Sequence, residues 1–188
     1  MSKFKHTMAV LALAMIAAGI AGCKKGDDQV STTGNNNGTN NTPKDVVASV
    51  MVSLIDDQDS VITYVGWSDL DGPGGELPLV DAVSLKPNVK YHATLRFEDA
   101  NGKNISDQVI KPNGTDYKVC ITGGLGLSAT TLDKDAKSLG LGLMQDLIVT
   151  QSGNGSLQLT IKDQKGVKNG DCSPGSVYFN CSFPLSAQ

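Results

Sequence analysis

Val89-Lys90-Tyr91-His92-Ala93-Thr94-Leu95-Arg96-Phe97-Glu98 is the stretch that decides the fold. Every odd position in it is apolar and every even one is polar or charged. Side chains of a strand alternate between two faces, so this segment reads as a strand with one face on a core and one in water. The pattern recurs downstream. Residues 156 to 162 place Leu157, Leu159 and Ile161 on one side, and residues 176 to 183 do the same with Val177, Phe179, Cys181 and Phe183. Further strand candidates lie at 46 to 55, 60 to 67, 79 to 85, 105 to 111, 117 to 122 and 147 to 150. Turn pairs such as Asn101-Gly102, Asn113-Gly114 and Asn154-Gly155 punctuate the series. Short alternating strands with turn signals between them predict an all-β fold: an antiparallel, immunoglobulin-like sandwich of about seven to nine strands. Only 133 to 144 carries a helical signal, and Gly140 and Gly142 weaken it.

Upstream of the strands the composition changes twice. Residues 24 to 44 are rich in Gly, Asn, Thr and Ser, and GNNNGTNNTP at 34 to 43 has no apolar residue. Such a segment buries too little surface to offset its ordering entropy, so 23 to 45 reads as a flexible tether. Its r.m.s. reach is about 5 to 6 Å times the square root of its length. Before it, residues 1 to 22 combine Lys3 and Lys5 with an apolar run from Met8 to Ile20 and small residues ahead of Cys23. That order is an export signal, and its apolar run falls short of the roughly 20 residues a spanning helix needs. The expected domains are therefore a signal peptide at 1 to 22, the tether at 23 to 45, and a single β-sandwich domain at 46 to 188.

Charge narrows the partners. Without Lys3 and Lys5 the 16 basic residues fall to 14 against 19 acidic ones, so the formal charge moves from −3 to −5. Nucleic-acid binding draws on clustered Lys and Arg, which argues against it here. Lys162, Lys165 and Lys168 sit among Asp163 and Asp171 and read as a solvated loop.

With Cys23 committed to the export signal, Cys120, Cys172 and Cys181 remain. Cys181 shares parity with core positions and behaves as a small apolar group. Cys120 lies on the opposite parity from Val119 and Ile121, and Cys172 is in a loop. The favoured disulfide is Cys120 with Cys172; the rival, Cys172 with Cys181, would close a short hairpin loop.

Few residues suggest chemistry. Asp69 and Asp71 before Gly72 open like a calcium loop, but Pro73 and Val80 stand where its later oxygen ligands belong. No other metal candidate arises, because there is no CxxC and His92 is the single histidine after the signal, on a solvent face. Gly123-Gly124-Leu125-Gly126 lacks the lysine of a phosphate loop and reads as a strand connection. Asp56, Asp57 and Asp59 cluster in a hairpin loop, where exposed acids are common. No nucleophile–base pair and no G-x-S-x-G stands out, so no catalytic residue and no cofactor is expected.

Four resemblances supply what periodicity does not. Ile20-Ala21-Gly22-Cys23 resembles a bacterial lipobox, which implies lipidation of Cys23, cleavage before it and acylation of the new terminus; several acyl chains give stable anchoring. Lys24-Lys25-Gly26-Asp27-Asp28 is similar to the surface-export signal of Bacteroidetes-type lipoproteins, and Asp59-Ser60-Val61 to an O-glycosylation motif of exported proteins of that type. In the body, WSDLDGPGG at 67 to 75, LVDAVSLKPNVKYHATLRFED at 79 to 99, LQLTIKDQKGVKNGDCSPG at 157 to 175 and VYFNCSFPL at 177 to 185 resemble an uncharacterised family of Bacteroidetes-type surface lipoproteins. Members sometimes carry a type 1 periplasmic-binding label, which this strand-rich pattern opposes, since that fold alternates strands with helices. The resemblance implies a lipid-anchored protein of the outer membrane and cell surface, a binding or accessory module beside a TonB-dependent transporter or a small-molecule ligand. A structural or adhesive role comes second and a hydrolase third.

Overall fold

The computed structural model describes residues 47–72 and 75–188. The signal peptide, Cys23, the acidic Lys24–Asp28 signal and the tether lie outside the described residues. The described residues form an all-β sandwich of ten strands: β1 (Ser49–Asp56), β2 (Ile62–Ser68), β3 (Leu79–Val80), β4 (Val83–Leu85), β5 (Lys90–Glu98), β6 (Tyr117–Gly123), β7 (Ser128–Thr131), β8 (Met144–Ile148), β9 (Gly153–Asp163) and β10 (Ser176–Ala187). One sheet has six strands in the order β3-β2-β1-β5-β8-β7; the other has four, β4-β10-β9-β6. All pairings are antiparallel except β4 with β10. Among the described residues no helix is long and apolar enough to cross a membrane.

The alternation of β5 is realised residue by residue: Tyr91, Ala93, Leu95 and Phe97 are buried, and His92, Thr94 and Arg96 are exposed. Val50, Val52 and Leu54 of β1 and Leu157, Leu159 and Ile161 of β9 join them in one core shared by both sheets. Burial of each such side chain contributes roughly 1.5–3 kcal/mol. In β10 a bulge between Val177 and Phe179 shifts the register. It turns Val177 out to 57 % exposure, against its expected place beside Phe179. Phe179 packs edge-on against Trp67, with ring centroids 5.3 Å apart.

Three segments depart from the sequence reading, and β7 (Ser128–Thr131) is a strand it did not include, which brings the described strands to ten. Residues 79 to 85 form two strands, not one, with the break at Asp81-Ala82 sending the chain from the six-stranded to the four-stranded sheet. Residues 105 to 111 are not a strand but a π-helical turn over Ser106–Ile110. Ile105 and Ile110, five apart, both reach the core from that turn. Asn104 Oδ1 accepts the Ser106 amide at 2.9 Å, and Ser106 Oγ accepts the Phe97 amide at 2.7 Å, tying the turn to the end of β5. Finally, 133 to 144 forms no helix. Its Leu141 carbonyl accepts the Val119 amide at 2.7 Å and so covers the outer edge of β6. Asp133 holds the return, its carboxylate accepting the amides of Gly142, Leu143 and Met144 at 2.8 to 3.2 Å. Gly142, at φ 94°, is required there, because a Cβ would stand 2.1 Å from Val119 O.

Candidate functional site

The register of the six-stranded sheet puts even-numbered residues of β2 on its outer face. Met51 lies opposite Gly66, Ser49 opposite Ser68, and Ser53 opposite Tyr64. On the other side of β2, Leu79 faces Ser68. Gly66 lacks a side chain at the centre of this array, and a cavity of about 360 Å³ opens over it. Its apolar walls are Met51, Tyr64 and Leu79, with Tyr64 at 64 % and Leu79 at 79 % exposure. Its polar groups are Asp81, Glu98 and the Ser49–Ser68 hydroxyl pair, whose oxygens are 3.3 Å apart. Asp81 Oδ2 accepts the Gly66 amide at 2.8 Å while the Asp81 amide donates to Gly66 O at 2.9 Å. Glu98 Oε1 accepts Arg96 Nε at 2.7 Å. The charged residues lining the cavity are both carboxylates. The site accordingly suits a small molecule with an apolar face and hydrogen-bond donors, neutral or cationic, in a pocket of ordinary ligand size.

The sequence-derived candidates fall elsewhere. Asp69 and Asp71 sit beside a second cavity of about 340 Å³ with Glu76 and Leu77. Their carboxylates are engaged by main chain: Asp69 Oδ1 accepts the Gly72 amide at 2.9 Å and Asp71 Oδ2 the Glu76 amide at 2.7 Å. That second bond leads the causes lowering the Asp71 carboxyl below its ordinary range. Among the described residues no three His, Cys, Asp or Glu side chains gather as a metal would need.

The hairpin acids are not simply exposed. Asp56 is buried, and Lys86 Nζ donates to Asp56 Oδ2 and Asp59 Oδ2 at 2.8 Å each. These bonds hold the Lys86 ammonium well above its usual range and both carboxyls below theirs. Ser60 of Asp59-Ser60-Val61 is exposed in the turn, at φ 58°. His92 is on a solvent face as expected but is not alone, since its Nδ1 lies 2.5 Å from Asp146 Oδ1 across the β5–β8 pair. Gly123-Gly124-Leu125-Gly126 links β6 to β7, with Leu125 and Gly126 at positive φ.

The Cys120–Cys172 disulfide is formed, with Cα atoms 6.0 Å apart, and Cys181 is free and buried. Burial pushes the Cys181 thiol up to about 12, which leaves it unreactive. The 164 to 175 loop is pinned again beside the disulfide. Lys168, expected in a solvated loop, instead has a buried side chain, with Nζ donating to Asp135 Oδ2 at 2.8 Å and Gly114 O at 2.6 Å.

Gly66, Asp81 and Glu98 escaped the sequence reading. The available signal was Gly66 itself, since a glycine inside a strand marks a bulge or a close approach. No family model, no curated protein and no solved structure matches this chain.

Proposed function

We propose that this chain is a lipoprotein anchored through Cys23 to the outer membrane, probing the cell exterior as a small-molecule binding module, with a TonB-dependent transporter as its neighbour. The anchor rests on the Ile20-Ala21-Gly22-Cys23 lipobox and the location on Lys24–Asp28. The binding role rests on one observation: the cavity over Gly66, walled by Met51, Tyr64 and Leu79 and ended by two carboxylates. Stability does not call for exposed Tyr64 and Leu79 side chains around a gap, whereas a ligand with an apolar face gains from covering them.

The test pairs anchor and groove. Palmitate labelling in cells should mark the chain and vanish with Cys23→Ala. Titration of the full chain in detergent with a panel of neutral sugars and organic amines should find a binder. Gly66→Val fills the groove at little cost to folding, because a Cβ there meets its nearest atom, Asp81 Oδ2, at 3.4 Å. It should weaken that binder by at least about tenfold, or ~1.4 kcal/mol. Equal binding by Gly66→Val, or a panel with no binder, would sink the assignment of the groove.

A further inference from the structure

We infer that the open edge of β2 is a docking site for an extended segment of another polypeptide, which adds as a strand to the six-stranded sheet. β2 pairs with β1 along its whole length, Ile62 to Ser68. On its other side β3 covers Trp67 and Ser68, and Asp81 occupies the place beside Gly66 before the chain leaves for the other sheet. Beside residues 62 to 65 the lane is empty among the described residues.

The backbone there has a fixed polarity. In an antiparallel ladder the N–H and C=O of one residue point to the same side, and successive residues alternate. Gly66 turns its pair toward Asp81, while the Val61 carbonyl accepts the Asp56 amide on the β1 side. Ile62 and Tyr64 therefore direct both groups outward, and neither has a backbone partner among the described residues. Edge strands are ordinarily blunted by charge, proline or a bulge. Residues 61 to 66, Val-Ile-Thr-Tyr-Val-Gly, have none of these, and Val61, Ile62 and Tyr64 are more than half exposed.

The surroundings select the occupant. Outward side chains of an added strand would lie by Ile62 and Tyr64. Inward ones would enter a cavity of about 300 Å³ that Thr63 and Val61 share with Ser84 and Leu85 of the other sheet. Asp81 Oδ2 accepts the Gly66 amide at one end of the lane, and Asp59 Oδ1 accepts the Val61 amide at the other, at 3.1 Å. Lys86, the nearby cation, is already bonded to Asp56 and Asp59. The fitting segment is thus about four β-branched or aromatic residues with a lysine or arginine at the end that meets Asp81, recognised by main chain with side-chain pockets for alternate positions. This edge shares Tyr64 and Asp81 with the groove over Gly66, but its test reads the Ile62 and Tyr64 amides and does not depend on that groove having a ligand.

The probe is a blocked peptide, Lys-Val-Thr-Val-Thr-Lys, added to the isotope-labelled full chain in detergent, with amide hydrogen exchange read residue by residue. In the free chain the Ile62 and Tyr64 amides should exchange rapidly, and the peptide should slow both by at least about tenfold. Ile62→Pro removes an amide that bonds nothing within the sheet; the variant should keep its melting temperature within a few degrees and lose the peptide. An alternately N-methylated peptide, which leaves the protein unaltered, should protect neither amide. Any of four results overturns the inference: no slowing by the peptide, equal protection by the N-methylated form, unchanged binding by Ile62→Pro, or amides already protected in the free chain. In the last case protection that rises with protein concentration identifies a second copy as the occupant, and concentration-independent protection identifies this chain's own upstream segment.

Discussion

Removing one partner of the buried Lys168–Asp135 pair should be the most damaging single change away from the hydrophobic core. The two side chains are 3 % and 0 % exposed. Asp135 Oδ1 also accepts the amides of Lys137 and Leu139 at 2.8 and 3.0 Å, so the carboxylate organises the turn that leads to Leu141. Asp135→Ala leaves an ammonium buried with Gly114 O as its remaining acceptor. Breaking such a pair costs about 3–5 kcal/mol, a large share of the roughly 5–15 kcal/mol that a domain has. Lys168→Met should cost somewhat less, about 3 kcal/mol, because the carboxylate keeps its two amide donors. The double variant removes both charges and should lose only about 2 kcal/mol, giving a coupling of several kcal/mol in a double-mutant cycle. Urea titration followed by the fluorescence of Trp67, the single tryptophan, which packs on Phe179, measures all four proteins. Acid supplies a second reading. Burial raises the Asp135 carboxyl, but the Lys168 bond and the Leu139 and Lys137 amides outweigh it and leave the group below its ordinary 3.8. A carboxyl depressed on folding stabilises above its unfolded value and stops doing so as the pH falls through its folded one. The advantage of wild type over the double variant should therefore hold at neutral pH and shrink below about pH 4. A cost for Asp135→Ala under about 1 kcal/mol, or strict additivity in the cycle, would refute the reasoning.

Two further changes test the same corner of the molecule. The Cys120–Cys172 link spans 52 residues, so replacing both cysteines by alanine should cost about 4 kcal/mol in the loop-entropy account and lower Tm by roughly 10 °C or more. Calorimetry that finds less than about 1 kcal/mol would transfer the tethering role to Lys168. Lys118 is 4 % exposed, and among the described residues its Nζ reaches only Thr131 Oγ1 and Gly140 O, at 3.4 and 3.5 Å. Burial and then the nearby Lys168 charge lower its ammonium below the ordinary 10.5. The folded state binds that proton less well, so stability should rise with pH between the lowered value and 10.5. Lys118→Met should stabilise by ~1 kcal/mol at neutral pH and flatten that rise; an unchanged slope in alkaline urea titrations would remove Lys118 as its source.

What the sequence made legible was the side of a strand on which each residue lies. Parity alone located the core residues of β5 and β9, and it chose Cys120 over Cys181 as the partner of Cys172. It failed where spacing carried another meaning. Ile105 and Ile110 are an odd number apart and cannot share a strand face, yet a π-helical turn brings both into the core. Asp81 interrupts 79 to 85 because its carboxylate and amide replace a strand partner for Gly66, a bond that crosses fifteen residues. Lys168 among acids looks solvated in sequence, and only the return of 133 to 144 over β6 covers it. The groove was hidden for the same reason. Tyr64, Met51 and Leu79 are neighbours through the registers of β1–β2 and β2–β3, and register is a property of paired strands.

The distribution of exposed apolar side chains explains why one corner of the sandwich attracts both binding assignments. Of the twelve large apolar residues exposed among the described residues, eight lie between Met51 and Val80. Solitary exposed apolar residues are ordinary, but contiguous ones mark contact surfaces. Six of these border a groove floored by Gly66 and a strand edge whose Ile62 and Tyr64 backbone is unpaired among the described residues, while Leu70 and Leu77 line the neighbouring cavity beside Asp69 and Asp71. The opposite edge of the same sheet, β7 (Ser128–Thr131), is short and polar, with Leu132 as its exposed apolar neighbour. An edge kept polar at one side of a sheet and apolar at the other is asymmetric in the property that controls strand addition. Folding stability gains nothing from that asymmetry, because exposed side chains bury nothing; a partner that covers Tyr64 and its neighbours does.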